Sequence, residues 1–291
     1  MSTIKPLLSV RNLTKRFGPG CEDCESLTGP TQNRNQCPTC KTILGCGEVS
    51  FDLYPNEVLG IVGESGSGKT TLLRALHFDF EVTSGEMFFS YLSENNELTD
   101  LIKQIQDVNL FTTTNYVKRK VRNFLTGIIY QNPLMGINLN ISAGGNIAEK
   151  MLMAEWRNLQ TIRNRSKYLF QKTEMPLERI DQSPKDFSGG MQQRVQISKA
   201  LASNPVLLFL DEVTTGLDLS VQAGVLDLIR NIQREFRFSM IVISHDFGVI
   251  RLLTERCMVM KNGKVIEHGL TDQILEDPVH PYTQLLVSSQ L

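Results

Sequence analysis

Residues Gly63-Glu64-Ser65-Gly66-Ser67-Gly68-Lys69-Thr70 fit the pattern Gly-x-x-x-x-Gly-Lys-[Ser/Thr] at every position. The pattern carries chemistry only between a strand and a helix. There its glycines let backbone N–H groups turn inward around phosphate oxygens, at a helix N-terminus that adds positive potential. Both flanks are present: the apolar run at 58–62 reads as a strand, and a helical stretch begins near Gly68. Lys69 is placed to reach β- and γ-phosphates, and the Thr70 hydroxyl to complete a Mg²⁺ shell. Thr71 adds a contact near the α-phosphate.

The rest of the chain agrees with an α/β domain. Strand-like runs fall at 7–13, 49–54, 206–210, 240–244 and 257–261, and the last three have the continuous Val/Ile/Leu/Met character of parallel strands buried on both faces. Helical patterns lie at 154–173, 190–203, 220–235 and 247–254. This strand–helix alternation predicts a mostly parallel central sheet. A polar stretch at 94–122 ends in Lys118, Arg119, Lys120 and Arg122, which reads as a solvated helix face and not as a nucleic-acid surface.

Two further motifs bear on phosphate chemistry. The apolar strand at 206–210 emerges into Asp211 and Glu212. Asp211 suits the metal shell, and Glu212 suits orienting or deprotonating an attacking water, the two tasks that phosphoryl transfer requires. Phe187-Ser188-Gly189-Gly190-Met191-Gln192 opens a helix with a second potential anion site.

Ser188, Gly189, Gly190 and Gln192 resemble the signature sequence of ATP-binding-cassette proteins, and the remaining motifs of that family follow in its order. The resemblance implies an ATPase with the P-loop cassette fold, in which an antiparallel β subdomain and a helical signature subdomain at about 132–203 accompany the central sheet. It implies that Gln131 senses Mg²⁺ and the γ-phosphate, that His245 contacts the γ-phosphate, and that Gly216-Leu217-Asp218 couples the two sites of a dimer. Phe17 matches the aromatic that stacks on adenine, with phenylalanine where tyrosine is common. Val213 stands where the family usually has proline, which leaves both carboxylates intact and alters loop stiffness. A signature distant from its own phosphate loop implies that a second cassette subunit, most simply a second copy, completes each ATP site.

Pro281-Tyr282-Thr283-Gln284-Leu285-Leu286, after His280, resembles two groups within the family. One is the oligopeptide/dipeptide importer ATPases; the other is the cassette subunit of the carbon–phosphorus lyase system of phosphonate breakdown. The stretch Ile141-Ser142-Ala143-Gly144-Gly145-Asn146-Ile147 and the ending Leu285-Leu286-Val287-Ser288-Ser289 favour the second, and importer ATPases typically continue beyond this point. The partner implied is a lyase core complex, or an ABC permease under the importer alternative. A regulatory module that switches shape on ATP with little turnover is a third reading, of a different class.

Five of six cysteines cluster between Cys21 and Cys46. Cys21-x-x-Cys24 and Cys37-x-x-Cys40 have the layout of a zinc-knuckle pair, so residues 18–47 are expected to form a small insert holding structural Zn²⁺. An iron–sulfur cluster can use the same four ligands. The insert follows Phe17, where it is expected to brace that ring or meet a partner. With a net charge of −1, no apolar run long enough for a bilayer and no signal-like amino terminus, the chain is expected to work in the cytoplasm, or at the membrane periphery if it serves an importer.

Overall fold

A computed structural model describes residues 5–91, 96–215 and 218–289. The chain divides into two compact units, Met1–Lys118 with Ile241–Leu291, and Arg119–Met240.

The first unit begins with an antiparallel sheet. Strand β1 (Leu8–Phe17) pairs with β2 (Ile43–Leu53) from Leu8↔Leu53 to Phe17↔Ile43. On its other edge it pairs with β4 (Ser84–Phe89), starting at Leu8↔Phe89. Strand β1 runs four residues beyond the predicted 7–13. Register shifts between Val10 and Arg16, with Asn12 at φ 49°, break the alternation that marks a strand in sequence. Strand β3 (Val58–Val62) lies parallel to β8 (Arg256–Lys261), which pairs antiparallel with β9 (Lys264–Leu270). Every residue of β3 is buried, in keeping with its unbroken apolar run. Helix Lys69–Leu76 follows β3 and buries Leu72, Leu73, Ala75 and Leu76.

In the second unit β5 (Thr126–Ile129) lies parallel to β6 (Leu207–Asp211). Helices Ala143–Met153, Leu159–Lys172 and Gly189–Ala200 pack on one another, each with a side-chain N-cap from Ser142, Asn158 and Ser188 respectively. The predicted helix at 154–173 therefore starts at Leu159. Ala154 ends the preceding helix, Glu155 has φ 65°, and Asn158 accepts from the Thr161 amide to start the next. Helix Leu219–Phe236 completes the unit, and β7 (Ser239–Ser244) lies at the division between the two units. Among the described residues no helix is long and apolar enough to cross a membrane.

Candidate functional site

The nucleotide-site candidates divide between the two units. In the first, β3 delivers the chain into the phosphate loop, whose shape is set by glycines. Gly63, Gly66 and Gly68 have φ of 154°, 80° and 109°. A Cβ on Gly63 would lie 2.3 Å from the Met260 carbonyl oxygen, and one on Gly68 would lie 2.2 Å from that of Gly45. At Gly63 and Gly68 the loop thus has no room for a side chain. Lys69 is only 4% exposed and donates to the carbonyls of Gly63 (2.7 Å) and Glu64 (3.0 Å). Ser67 Oγ is buried without a hydrogen-bond partner. A buried cation beside inward-turned glycine backbone and an unsatisfied hydroxyl is a donor set that fits a phosphate tail. Thr70 is exposed and Thr71 half-buried on the first turn of the helix.

Phe17 ends β1 and is 42% exposed. Phe80 meets it edge-on at 5.5 Å and the Lys15 ammonium lies 5.0 Å from its centroid. Residues of the 18–47 stretch also meet Phe17: Ile43 pairs with it across the strand ladder, and a Cβ on Gly45 would lie 2.8 Å from its ring. His245 is exposed just after β7, ahead of Asp246, which caps helix Phe247–Leu253 by accepting from Gly248 N at 2.7 Å.

One contributor was hidden in the sequence. Tyr282 Oη accepts from the Glu64 amide at 3.3 Å, and the Lys261 ammonium sits 4.6 Å over its ring. Burial pushes the Tyr282 phenol up. A cavity of about 200 Å³ abuts the loop, lined by Ser65, Gly66 and Ser67 together with Asn35, Lys261 and Tyr282. Nothing local in the sequence signals a tyrosine 218 residues away from Glu64.

In the second unit, Asp211 ends β6, nearly buried, and Glu212 turns the chain with φ 47°. That left-handed conformation, which Glu48, Glu155 and Glu174 share, ends the strand and turns the chain out of β6. Thr215 donates to the Glu212 carboxylate at 3.4 Å. Val213, which follows the pair, is buried. Gln131 is exposed just after β5. Ser188 caps its helix through the Met191 amide, and Gln192 is tied to the Pro184 carbonyl at 2.9 Å. A Cβ on Gly190 would come 2.8 Å from Val221 on helix Leu219–Phe236, so glycine there permits close helix packing. Gly216 and Leu217 lie outside the described residues; Asp218 is the N-cap residue of that helix.

The cysteines of the two knuckles converge. Sγ–Sγ distances are 3.5 Å for Cys21–Cys24, 3.7 Å for Cys21–Cys37 and 3.2 Å for Cys24–Cys40, and all four sulfurs lie within 4.8 Å of one another. Four sulfurs about 2.3 Å from one tetrahedral ion stand about 3.8 Å apart, so the cluster fits a metal. Hydrogen bonds from the Thr42 hydroxyl and amide bring the Cys40 thiol down to about 6, and the Cys40 amide lowers Cys37. Cys21, facing the Cys24 thiol, is pushed up to about 12. Burial pushes Cys46 up to about 12 and Cys257 to about 11, and neither sulfur belongs to the four-sulfur cluster.

The fold and the cradle define an ATP-binding cassette. The family model described as ABC transporter matches residues 46–215, and the chain belongs to that family as one of its ATPase subunits. It is 42% identical over 287 residues to the putative phosphonates utilization ATP-binding protein PhnK of Escherichia coli (strain K12), covering 99% of this chain and 98% of that one. It is 36% identical over 247 residues to the oligopeptide transport ATP-binding protein OppD of Bacillus subtilis (strain 168), covering 83% and 65%. Among solved structures the fold matches the ATP-binding cassette MJ0796 in a dimeric post-hydrolysis state bound to ADP and Pi. That match has a TM-score of 0.71 at 22% identity and covers 91% of this chain and 98% of that one. The expected α/β cassette fold, with its parallel strands and antiparallel subdomain, is therefore present.

Proposed function

We propose that this chain is the ATP-hydrolysing cassette subunit of a cytoplasmic complex that cleaves carbon–phosphorus bonds of phosphonates. One observation carries the choice of complex: the likeness to the phosphonates utilization protein extends over both chains nearly end to end, whereas the oligopeptide relative is matched over about two thirds of its length.

Two copies face head to tail and sandwich two ATP molecules. Phe17 stacks on adenine and the loop from Gly63 to Thr71 wraps the phosphates. Lys69 exchanges its loop carbonyls for β- and γ-phosphate oxygens. Thr70, Gln131 and Asp211 would hold Mg²⁺, which would supply positive charge against the phosphates. Ser188, Gly189, Gly190 and Gln192 of the second copy close the site, and Asp218 couples it to its twin. Glu212 takes a proton from water as the water oxygen bonds to the γ-phosphorus. The bond from phosphorus to the bridging oxygen breaks, and ADP and phosphate leave. His245 donates to a γ-phosphate oxygen throughout. Cys21, Cys24, Cys37 and Cys40 hold one Zn²⁺ as a closed, structural site.

The test is complementation. A strain lacking this chain, supplied with wild type, grows on a phosphonate as sole phosphorus source; the same strain supplied with Glu212→Gln does not. Growth with Glu212→Gln, together with loss of oligopeptide uptake, would transfer the chain to the importer group.

A further inference from the structure

The cysteine insert reaches the phosphate loop through residues that no nucleotide motif includes. Asn35 Nδ2 donates to the Gly66 carbonyl at 3.3 Å. The Asn35 carbonyl accepts from Leu44 N at 2.7 Å, which pins this residue to the start of β2. Asn33, in the left-handed region at φ 48°, accepts from Asn262 Nδ2 at 3.4 Å. Next to Asn262, Gly263 N donates to the Ser67 carbonyl at 2.8 Å, and its own carbonyl accepts from Gly47 N at 2.7 Å. Two successive carbonyls of the phosphate loop, those of Gly66 and Ser67, are thus held by segments that meet at the insert.

Asn35 lies two residues before Cys37, so its position depends on the knuckle. Cys37 is fully buried, donates its amide to the Thr42 carbonyl at 2.9 Å and accepts from Lys41 N at 3.0 Å. Thr42, also buried, accepts from Gly20 N at 2.9 Å. A Cβ on Gly18 would lie 2.6 Å from the Thr42 hydroxyl, so both limbs of the insert close on this threonine. Beyond Cys24, Cys37, Thr28, Gly29 and Thr42, residues 18–42 are exposed or half-buried. A segment with so small a core keeps one conformation only when cross-linked.

We propose that the cysteine insert is a clamp on the phosphate loop, with Asn35 its positioning residue, so that metal held by the four cysteines strengthens nucleotide binding. The clamp rests on the zinc reading above. Its chemistry is a hydrogen bond at the one loop glycine that faces open space: Gly66 has φ 80°, and a Cβ there would have no neighbour within 4 Å. Without metal the carboxamide leaves the Gly66 carbonyl, and the loop must order itself when nucleotide arrives. Coupling between two sites is reciprocal, so nucleotide must tighten zinc by the factor with which zinc tightens nucleotide.

The experiment uses the full chain and two variants, Asn35→Ala and Cys24→Ser, with zinc counted by elemental analysis. Affinity for a fluorescent MgADP analogue is measured before and after zinc is removed with 1,10-phenanthroline. Zinc affinity is measured by competition with a chromogenic chelator, with and without MgADP. Removing zinc from wild type weakens nucleotide binding by about three- to tenfold, the range of one net hydrogen bond. Asn35→Ala, a surface change that leaves the knuckle ligands intact, keeps one zinc, binds nucleotide more weakly by a similar factor, and no longer responds to zinc removal. MgADP tightens zinc in wild type and not in Asn35→Ala. Asn35→Ala with one zinc and wild-type nucleotide affinity overturns the clamp and leaves the zinc site standing. Wild-type protein purified without metal overturns the zinc reading and, with it, the metal dependence of the clamp.

Discussion

Gly68 and Gly45 meet backbone to backbone: a Cβ on Gly68 would stand 2.2 Å from the Gly45 carbonyl oxygen. Gly68 also has φ 109°, where side chains are strained. Gly66 shares the positive φ but faces open space. Alanine at 66 therefore carries conformational strain alone, about 1–2 kcal/mol, whereas alanine at 68 must also displace β2. Gly66→Ala should stay within about thirtyfold of wild type in MgATP affinity, and Gly68→Ala should lose about a hundredfold or more. Titration with a fluorescent ATP analogue reads both; equal losses would mean that the contact with Gly45 does not shape the loop.

Lys69 and Glu212 separate binding from chemistry. Lys69 is a buried cation held by loop carbonyls, so Lys69→Ala should remove measurable nucleotide binding. Glu212→Gln keeps size and hydrogen bonding but cannot take a proton. It should retain MgATP and lose about 10²- to 10⁴-fold in turnover, the usual contribution of a positioned base. Phosphate release measures the loss. Light scattering of the same variant with MgATP should show a dimer, and a strict monomer would argue against the head-to-tail sandwich.

What the sequence revealed of this site was what the chemistry compresses into short motifs. The phosphate loop, the acidic strand end at Asp211-Glu212 and the paired cysteines each declare themselves within eight residues or, for the cysteines, by spacing. Buried parallel strands were equally legible, because burial on both faces leaves an unbroken apolar run. Strand β9 was not, since it is half-exposed and mixes Lys264, Glu267 and His268 with apolar residues. Helix Ala143–Met153 was hidden by Gly144 and Gly145 in its first turn, which weaken the helical pattern yet fit beneath Ile180 and the Ser142 cap. Tyr282 and Asn35 were invisible as site residues for a different reason: their roles come from contacts made across 218 and 31 residues of chain.

The zinc site makes its own prediction about stability. One equivalent of zinc should accompany the chain purified without a metal-affinity tag. Cys24→Ser removes a buried ligand 3.2 Å from Cys40 and should drop zinc well below one equivalent. Cys46→Ala removes a buried thiol outside the cluster and should leave the stoichiometry unchanged. Chelation of wild type should lower the first thermal transition, because metal binding supplies part of the folding energy of the insert. Iron with visible absorbance in place of zinc would change the site from a structural staple to a redox centre.

The last prediction concerns pH and Lys150. Its ammonium donates to the carbonyls of Arg122 (2.8 Å) and Thr126 (3.1 Å), where Val121–Leu125 runs into β5. Burial, with the Arg122 and Lys199 charges nearby, brings Lys150 down to about 7. Lys199 is itself paired with Glu149 at 2.7 Å, so that carboxylate offers Lys150 little compensation. An unfolded lysine keeps its proton to about pH 10. Between pH 7 and 10 the unfolded chain therefore binds more protons than the folded one, and stability rises with pH across that window. Below pH 7 both states are protonated and the penalty of the buried charge is complete. Lys150→Met removes the titration. The unfolding free energy of wild type, from urea titration, should climb relative to Lys150→Met from pH 7 to pH 9, by at most about 1.4 kcal/mol per pH unit. Parallel profiles would mean that the two carbonyls hold the ammonium charged throughout, and that burial does not govern this lysine.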